Sequence, residues 1–309
     1  MQIIQNTTKF EIDGKCAAAI GKFDGIHLGH QKLLKYILEQ KEEGQKAVIF
    51  TFDPPPSVLF GNVEEKELMT KEEKREAFEK MGIDVLIEFP LSRQTAAIAP
   101  EDFIADILVR QIHAKYIAAG TDVTFGNKGI GNCMLLSAMA GILGYQVEII
   151  DKVCFGAREV SSTYVREVIE SGNMEEAAML LGKPYGVSGF VQYGNHFGRT
   201  IGMPTLNLLP PASKLLPPNG VYYSVVEIGE DVYPGITNIG CKPTVSDDKL
   251  TGVETYLYGF DKEVYGEKIT VRLLTYKRPE IKFANKEELA AQMEIDKKDG
   301  YHFHEKKLP

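Results

Sequence analysis

An apolar run, Ala17-Ala18-Ala19-Ile20, leads directly into a glycine-bounded turn, Gly21-Lys22-Phe23-Asp24-Gly25-Ile26-His27-Leu28-Gly29-His30. Residues 31–43 follow, with Leu33, Leu34, Ile37 and Leu38 at helical spacing. A buried strand, a tight turn and a helix in immediate succession constrain the fold, because helix N-termini carry free N–H groups and a positive dipole end. Such a turn favours an anion. Gly25 and Gly29 let the backbone approach a ligand or adopt positive φ. His27 and His30 can donate hydrogen bonds to phosphate oxygens, and protonation would add charge as pyrophosphate leaves. A lone histidine in a turn is more often packed or solvated than functional. The pair, placed between strand and helix, points to nucleotide chemistry.

The rest of the first 182 residues continues the alternation. Residues 47–52 form an apolar run ended by Asp53-Pro54-Pro55-Pro56, as a strand buried on both faces requires. Residues 70–80 read as a charged helix, with Thr70 and Glu73 spaced for a capping box. Strands are expected at 84–89, 116–119 and 147–153, and helices at 100–112 and 130–143. This order implies a parallel sheet with helices on both faces, and ligands beyond the carboxyl ends of its strands. Ser161-Ser162-Thr163-Tyr164-Val165-Arg166 opens a further helix, with Arg166 one turn in and able to meet the same phosphate. On its own, that string is also an ordinary N-cap with a solvated arginine.

From Tyr185 helical periodicity gives way to short alternating runs punctuated by Gly and Pro, at 186–193, 221–227, 232–239, 254–258 and 268–276. They suggest an antiparallel barrel. A helix returns at 285–297, and residues 298–309 read as a solvated tail in which His302 and His304 lack further ligands. The chain's net charge of −8 shows no basic stripe and argues against a nucleic-acid partner. Cys16, Cys133, Cys154 and Cys241 have no C-x-x-C spacing; apolar surroundings for the first three predict buried reduced thiols. Neither a signal-peptide core nor a membrane span is expected, which predicts a cytoplasmic protein. Oligomeric state is left open.

The string H-x-G-H resembles the nucleotidyltransferase signature. With Thr51-Phe52-Asp53-Pro54, Gly120-Thr121-Asp122-Val123-Thr124-Phe125-Gly126 and the Ser161–Arg166 string, the first half resembles FAD synthetase. The second half carries Gly198-Arg199-Thr200-Ile201-Gly202-Met203-Pro204-Thr205-Leu206-Asn207, Asn219-Gly220-Val221-Tyr222 and Asn238-Ile239-Gly240-Cys241-Lys242-Pro243-Thr244. Val253-Glu254-Thr255 and Arg278-Pro279-Glu280-Ile281-Lys282-Phe283 come after them. In order and spacing the chain resembles the bacterial bifunctional riboflavin kinase/FMN adenylyltransferase family.

The resemblance implies an α/β + β chain. Residues 1–183 would form a Rossmann-like nucleotidyltransferase domain, and residues 184–309 an antiparallel Greek-key β-barrel riboflavin kinase domain with a terminal helix. It implies conversion of riboflavin and ATP to FMN, then of FMN and ATP to FAD and pyrophosphate, with small molecules as the only partners. His27, His30 and Arg166 would be catalytic in the first half. Gly21, Phe23, Asp24, Gly25, Gly29, Asp122, Phe125, Ser162 and Thr163 would bind nucleotide and flavin there. In the second half Glu254 would be the general base for the riboflavin 5′-hydroxyl. Thr205 and Asn207 would hold Mg2+, and Gly198, Arg199, Gly202, Pro204 and Arg278 would bind ligand. Three positions depart from the family pattern: Pro55 stands where His is usual, Val123 where an aromatic is frequent, and Leu206 in place of Ala. Pro55 supplies no donor, which motivates the alternative of a riboflavin kinase with a degenerate first domain. A flavin sensor and an adenylyltransferase for another phosphate ester are the further alternatives.

Overall fold

The structure, a computed structural model, describes residues 1–61, 66–193, 203–242 and 250–307. The chain divides into two compact units, Met1–Ser162 and Thr163–Pro309.

The first unit is built on six parallel strands: β1 (Gln2–Gln5), β2 (Cys16–Ile20), β3 (Lys46–Asp53), β4 (Val85–Pro90), β5 (Ala114–Gly120) and β6 (Gln146–Ile150). Their order across the sheet is β1-β4-β3-β2-β5-β6. Side chains alternate between faces, and each face has its own core. Ala17, Ala19, Ala47, Ile49, Leu86 and Ala118 pack with Leu33, Leu34 and Ile37 of α1 (Leu28–Glu42). A short α2 (Pro56–Phe60) precedes α3 (Lys71–Lys80), which adds Ala77 and Phe78 to the same core. The intervening residues, among them Ala18, Ile20, Val48, Phe50, Ile87 and Ala119, face the opposite core. That core is closed by α4 (Pro100–Asp102), its π-helical continuation Phe103–Gln111, and α5 (Cys133–Leu143). Small alanines on β2 let helices on both faces approach the centre of the sheet. The capping box at the start of α3 is present: Glu73 N–H donates to Thr70 Oγ1 (3.2 Å), and Thr70 N–H donates to Glu73 Oε2 (2.9 Å). A two-residue hairpin, β7 (Cys154–Phe155) and β8 (Arg158–Glu159), completes the unit's strands.

The second unit contains α6 (Ser162–Glu170, whose first residue closes the first unit), α7 (Met174–Leu181) and strands β9 (Tyr185–Phe190), β10 (Thr205–Leu208), β11 (Gly220–Ile228), β12 (Asp231–Lys242), β13 (Leu250–Leu257) and β14 (Lys268–Arg278). All neighbours are antiparallel in the order β10-β13-β12-β11-β14-β9. Three successive hairpin-linked strands with the fourth returning beside the first make a Greek key. The sheet curls until its edges touch, where Gln192 N–H donates to Asn207 O (2.9 Å). Inside the curl, the buried hydroxyls of Ser224, Thr237 and Thr255 hydrogen-bond in series at 2.8 Å each, so each of the three has a partner.

The last element is α8 (Lys286–Lys307), which runs ten residues beyond the expected helix. The predicted solvated tail is therefore a correction: residues 298–307 are helical, and His304 is 5% exposed, its Nε2 3.0 Å from Gly235 O. Rings of Tyr223, Tyr258 and Phe303 surround it. The thiol expectation is also corrected. All four cysteines are free, but only Cys16 is buried; Cys133 is half-buried, and Cys154 is exposed because its hairpin stands clear of both cores. Among the described residues no helix is long and apolar enough to cross a membrane.

Candidate functional site

In the first unit the loop after β2 lies where the sheet order reverses, since β3 and β4 extend to one side of β2 and β5 to the other. Crevices at such switch points bind ligands in open α/β sheets. The loop backbone is held in costly geometry. Phe23 (φ 50°) and the β-branched Ile26 (φ 47°) both occupy the left-handed region, as does Gly25 (φ 85°). Complete burial of Phe23 and Ile26 in the core under α1 enforces this. Asp24 anchors the loop, its Oδ1 accepting from Leu68 N (3.0 Å) and Met69 N (3.3 Å). Ser162 Oγ donates to Asp24 O (2.9 Å), and Gln31 Nε2 donates to Ile26 O (3.0 Å).

The result is a stacked histidine pair, with ring centroids 3.8 Å apart. Phe23 supports His30 from behind at 5.1 Å, and a Cβ on Gly29 would lie 3.2 Å from the His27 ring. Gly29, the second residue of α1, thus leaves room for the His27 ring, and Gly21 likewise lies against the Phe23 ring. His27 is the N-cap of α1 and makes no side-chain cap bond. Both Nδ1 atoms are buried without a protein partner. Burial pushes the His27 imidazole down to about 4, outweighing the opposing pull of Asp122. His30 is held well below the usual range by burial and then by His27. Both rings are neutral donors in the ligand-free protein, so the charge expected from the sequence would follow only after a phosphate has bound.

Asp122 stands beyond the end of β5, on the other side of the switch point, paired with Lys152 (3.5 Å), which also meets Glu159 (2.7 Å). No sequence signal singled out Lys152. Phe125 is a core residue, stacked on Phe103 at 5.1 Å, and so can act on a ligand only by shaping the loop around Asp122. Thr163, exposed, and Arg166, half-buried, follow Ser162 on α6. Pro55 caps α2 and accepts from Val58 N (2.9 Å).

In the second unit one row of cross-strand partners assembles the candidate site. Asn207 faces Glu254, Glu254 faces Asn238, Asn238 faces Val221, and Val221 faces Arg278. Cross-strand partners share a face. All five line a cavity of about 380 Å3, closed on its apolar side by Tyr256, Phe283, Leu289 and Met293. Thr205 lines this cavity and also a second of about 300 Å3, bounded by Pro204, Phe260, Lys262 and Tyr265. Asn207 Nδ2 donates to Thr205 O (3.3 Å). Among the described residues no group of three His, Cys, Asp or Glu could cage a metal. A hydroxyl, an amide and one carboxylate are the hard donors suited to Mg2+, which keeps its waters and shares substrate phosphates. Gly198, Arg199 and Gly202 lie outside the described residues.

A parallel sheet with a histidine pair at its switch point, followed by a Greek-key barrel whose cavity carries a carboxylate and hard-oxygen donors, fits a two-site transferase acting on phosphate groups. Comparison with known proteins sharpens this class. The FAD synthetase family matches residues 9–164, and the riboflavin kinase family matches residues 181–303. The bifunctional riboflavin kinase/FMN adenylyltransferase of Listeria monocytogenes is 36% identical over 284 residues, covering 91% of this chain and 90% of that protein. Its Bacillus subtilis counterpart is 35% identical, covering 95% and 94%, and that of Escherichia coli K12 is 34% identical with the same coverage. A crystal structure described as a macrolide-efflux protein from Streptococcus pneumoniae matches with a TM-score of 0.84 at 29% identity, over 96% of this chain and 97% of that one. The chain belongs to the bifunctional riboflavin kinase/FMN adenylyltransferase family.

Proposed function

We propose that this chain makes FMN from riboflavin and ATP, and FAD from FMN and a second ATP. Residues 1–183 are assigned to adenylylation and 184–309 to phosphorylation. This functional boundary differs from the compact one because Thr163 and Arg166 belong to the motif of the first activity while packing with the second unit.

The observation that carries the reading is the row Asn207, Glu254, Asn238 at one face of an apolar cavity. A flavin ring fits the apolar part, with the 5′-hydroxyl turned to Glu254. Glu254 takes the hydroxyl proton as the oxygen attacks the γ-phosphorus of ATP, the bond from that phosphorus to the β,γ-bridging oxygen breaks, and ADP leaves. Thr205, shared by both cavities, lies where flavin and nucleotide would meet, and Pro204 and Lys262 would line the nucleotide side. Mg2+, held by Thr205 and Asn207 with the phosphates, would neutralise charge on them.

In the first unit an FMN phosphate oxygen attacks the α-phosphorus of ATP in line, and pyrophosphate leaves. Positioning and charge stabilisation supply the rate, so no covalent intermediate is needed. His27 and His30 donate from the α1 N-terminus to the phosphates, with Ser162 holding the loop through Asp24 O. Asp24, Gly21, Gly25, Gly29 and Phe23 hold the loop in shape, and Asp122 lines the flavin side. The kinase-only alternative is not favoured, since the FAD synthetase family matches the half that contains Pro55. No observation on this chain favours carrying over the efflux named for the Streptococcus pneumoniae protein.

Chromatography of flavins after incubation of the purified chain with riboflavin, ATP and Mg2+ tests the proposal. FMN is expected first and FAD after it. FMN without FAD, also when FMN is the starting flavin, would leave only the kinase.

A further inference from the structure

Arg278 stands at the far end of the kinase cavity from the phosphate-handling residues. Two strands, carrying Asn238 and Val221, separate it from Glu254 along the shared row. At the usual strand spacing that is roughly 14 Å along the sheet. Asn207 lies one strand beyond Glu254 in the opposite direction. A riboflavin whose 5′-hydroxyl is at Glu254 therefore brings its ring system, rather than a phosphate, to Arg278.

The guanidinium is held rather than left to swing. Arg278 Nε donates to both oxygens of Asp296 (3.0 and 3.2 Å), Nη2 donates to Asp296 Oδ2, and Nη1 donates to Pro279 O (2.9 Å). Of five N–H groups, one on each terminal nitrogen remains for a ligand among the described residues. Asp296 is 4% exposed and also accepts from Gln292 Nε2 (3.1 Å). Leu289, Met293 and Asp296 are spaced i, i+4, i+7 on α8, so one helical face supplies both the apolar wall and the carboxylate. A buried ion pair adds little net stability over well-packed apolar residues of similar volume. Its geometric value is the fixed plane of the fork.

We propose that Asp296 is a positioning residue for the kinase step: from α8 it fixes the Arg278 guanidinium against the flavin ring, and so sets flavin affinity without acting on phosphoryl transfer. The inference rests on the riboflavin kinase reading above. It separates the role of Arg278 from the phosphates, an ambiguity the sequence left open.

Asp296→Asn and Arg278→Lys, each in the full chain, are compared with the unaltered protein. Riboflavin and ATP are varied in turn, and riboflavin binding is titrated without ATP by quenching of its fluorescence. Both variants are expected to raise KM and Kd for riboflavin about 10-fold or more, with kcat and the KM for ATP changed by less than about threefold. The double variant should be no worse than the poorer single one, because both remove one arrangement. A fall in kcat or a rise in KM for ATP with riboflavin binding unchanged would overturn the proposal, as would lowered thermal stability with unchanged kinetics. Arg278→Lys keeps a charge for Asp296 while losing the fork, so it gives the result even if Asp296→Asn does not fold. Should the unaltered chain bind riboflavin but form no FMN, the kinase reading fails, while the titration still tests the Asp296–Arg278 arrangement.

Discussion

His27 shows how burying a histidine at the candidate site bears on stability at a single residue. Burial holds its folded-state value at about 4 against an ordinary 6.5, so as pH falls the unfolded chain takes the proton first. The stability this group contributes is complete above about pH 6.5 and is lost as pH falls through 4. The difference is about 3 kcal/mol. His27→Gln should therefore flatten the acid limb of a urea-denaturation series by that order, and an unchanged limb would show that the ring is solvated. A triphosphate against the same ring acts in the opposite sense, favouring the proton and making nucleotide affinity rise as pH falls. The histidine pair was legible in the sequence because its spacing and placement are local. Its neutrality was not, since that depends on Phe23 and the surrounding core closing over it. Asp24 was legible as a turn residue, but its grip on Leu68 and Met69 is a contact across more than 40 residues.

At the scale of elements, α3 illustrates how a capped helix reaches the candidate site. Its Phe78 packs edge-on against Phe23 at 5.8 Å, and Phe23 in turn backs His30. Thr70→Ala removes one arm of the capping box and should lower stability by about 1 kcal/mol, read as a fall in Tm in thermal unfolding. No change would mean the box is dispensable. The box itself was legible because both partners lie within one turn. Strands β2 to β5 were legible too, since unbroken apolar runs such as residues 47–52 have few other places to go. Strand β1 escaped notice: Gln2 and Gln5 look like coil, and only parallel pairing with β4 makes the segment extended. Strand β10 is four residues long and reads as a motif until its pairing with β13 places Asn207 opposite Glu254. The end of α8 was hidden by Lys297, Lys298 and Asp299, whose charge masked the packing of Phe303 and His304 onto Tyr223.

For the whole molecule, the two-part architecture was visible as a change in periodicity near Tyr185, because parallel and antiparallel sheets impose different patterns on sequence. What the pattern could not carry was the fate of α6 and α7. These helices follow the first unit's last motif, yet α7 packs on β14 and β9 in the second. Two active sites in one chain imply that each can be silenced alone. The most direct measurement uses Glu254→Gln and His30→Asn, each incubated with ATP and Mg2+ and either riboflavin or FMN, with flavins separated by chromatography. Glu254→Gln is expected to lose FMN formation by about 100-fold or more while converting supplied FMN to FAD at the unaltered rate. His30→Asn is expected to accumulate FMN and lose FAD by a similar factor. Loss of both steps in either variant, or FAD formed normally by His30→Asn, would contradict the assignment of one reaction to each site.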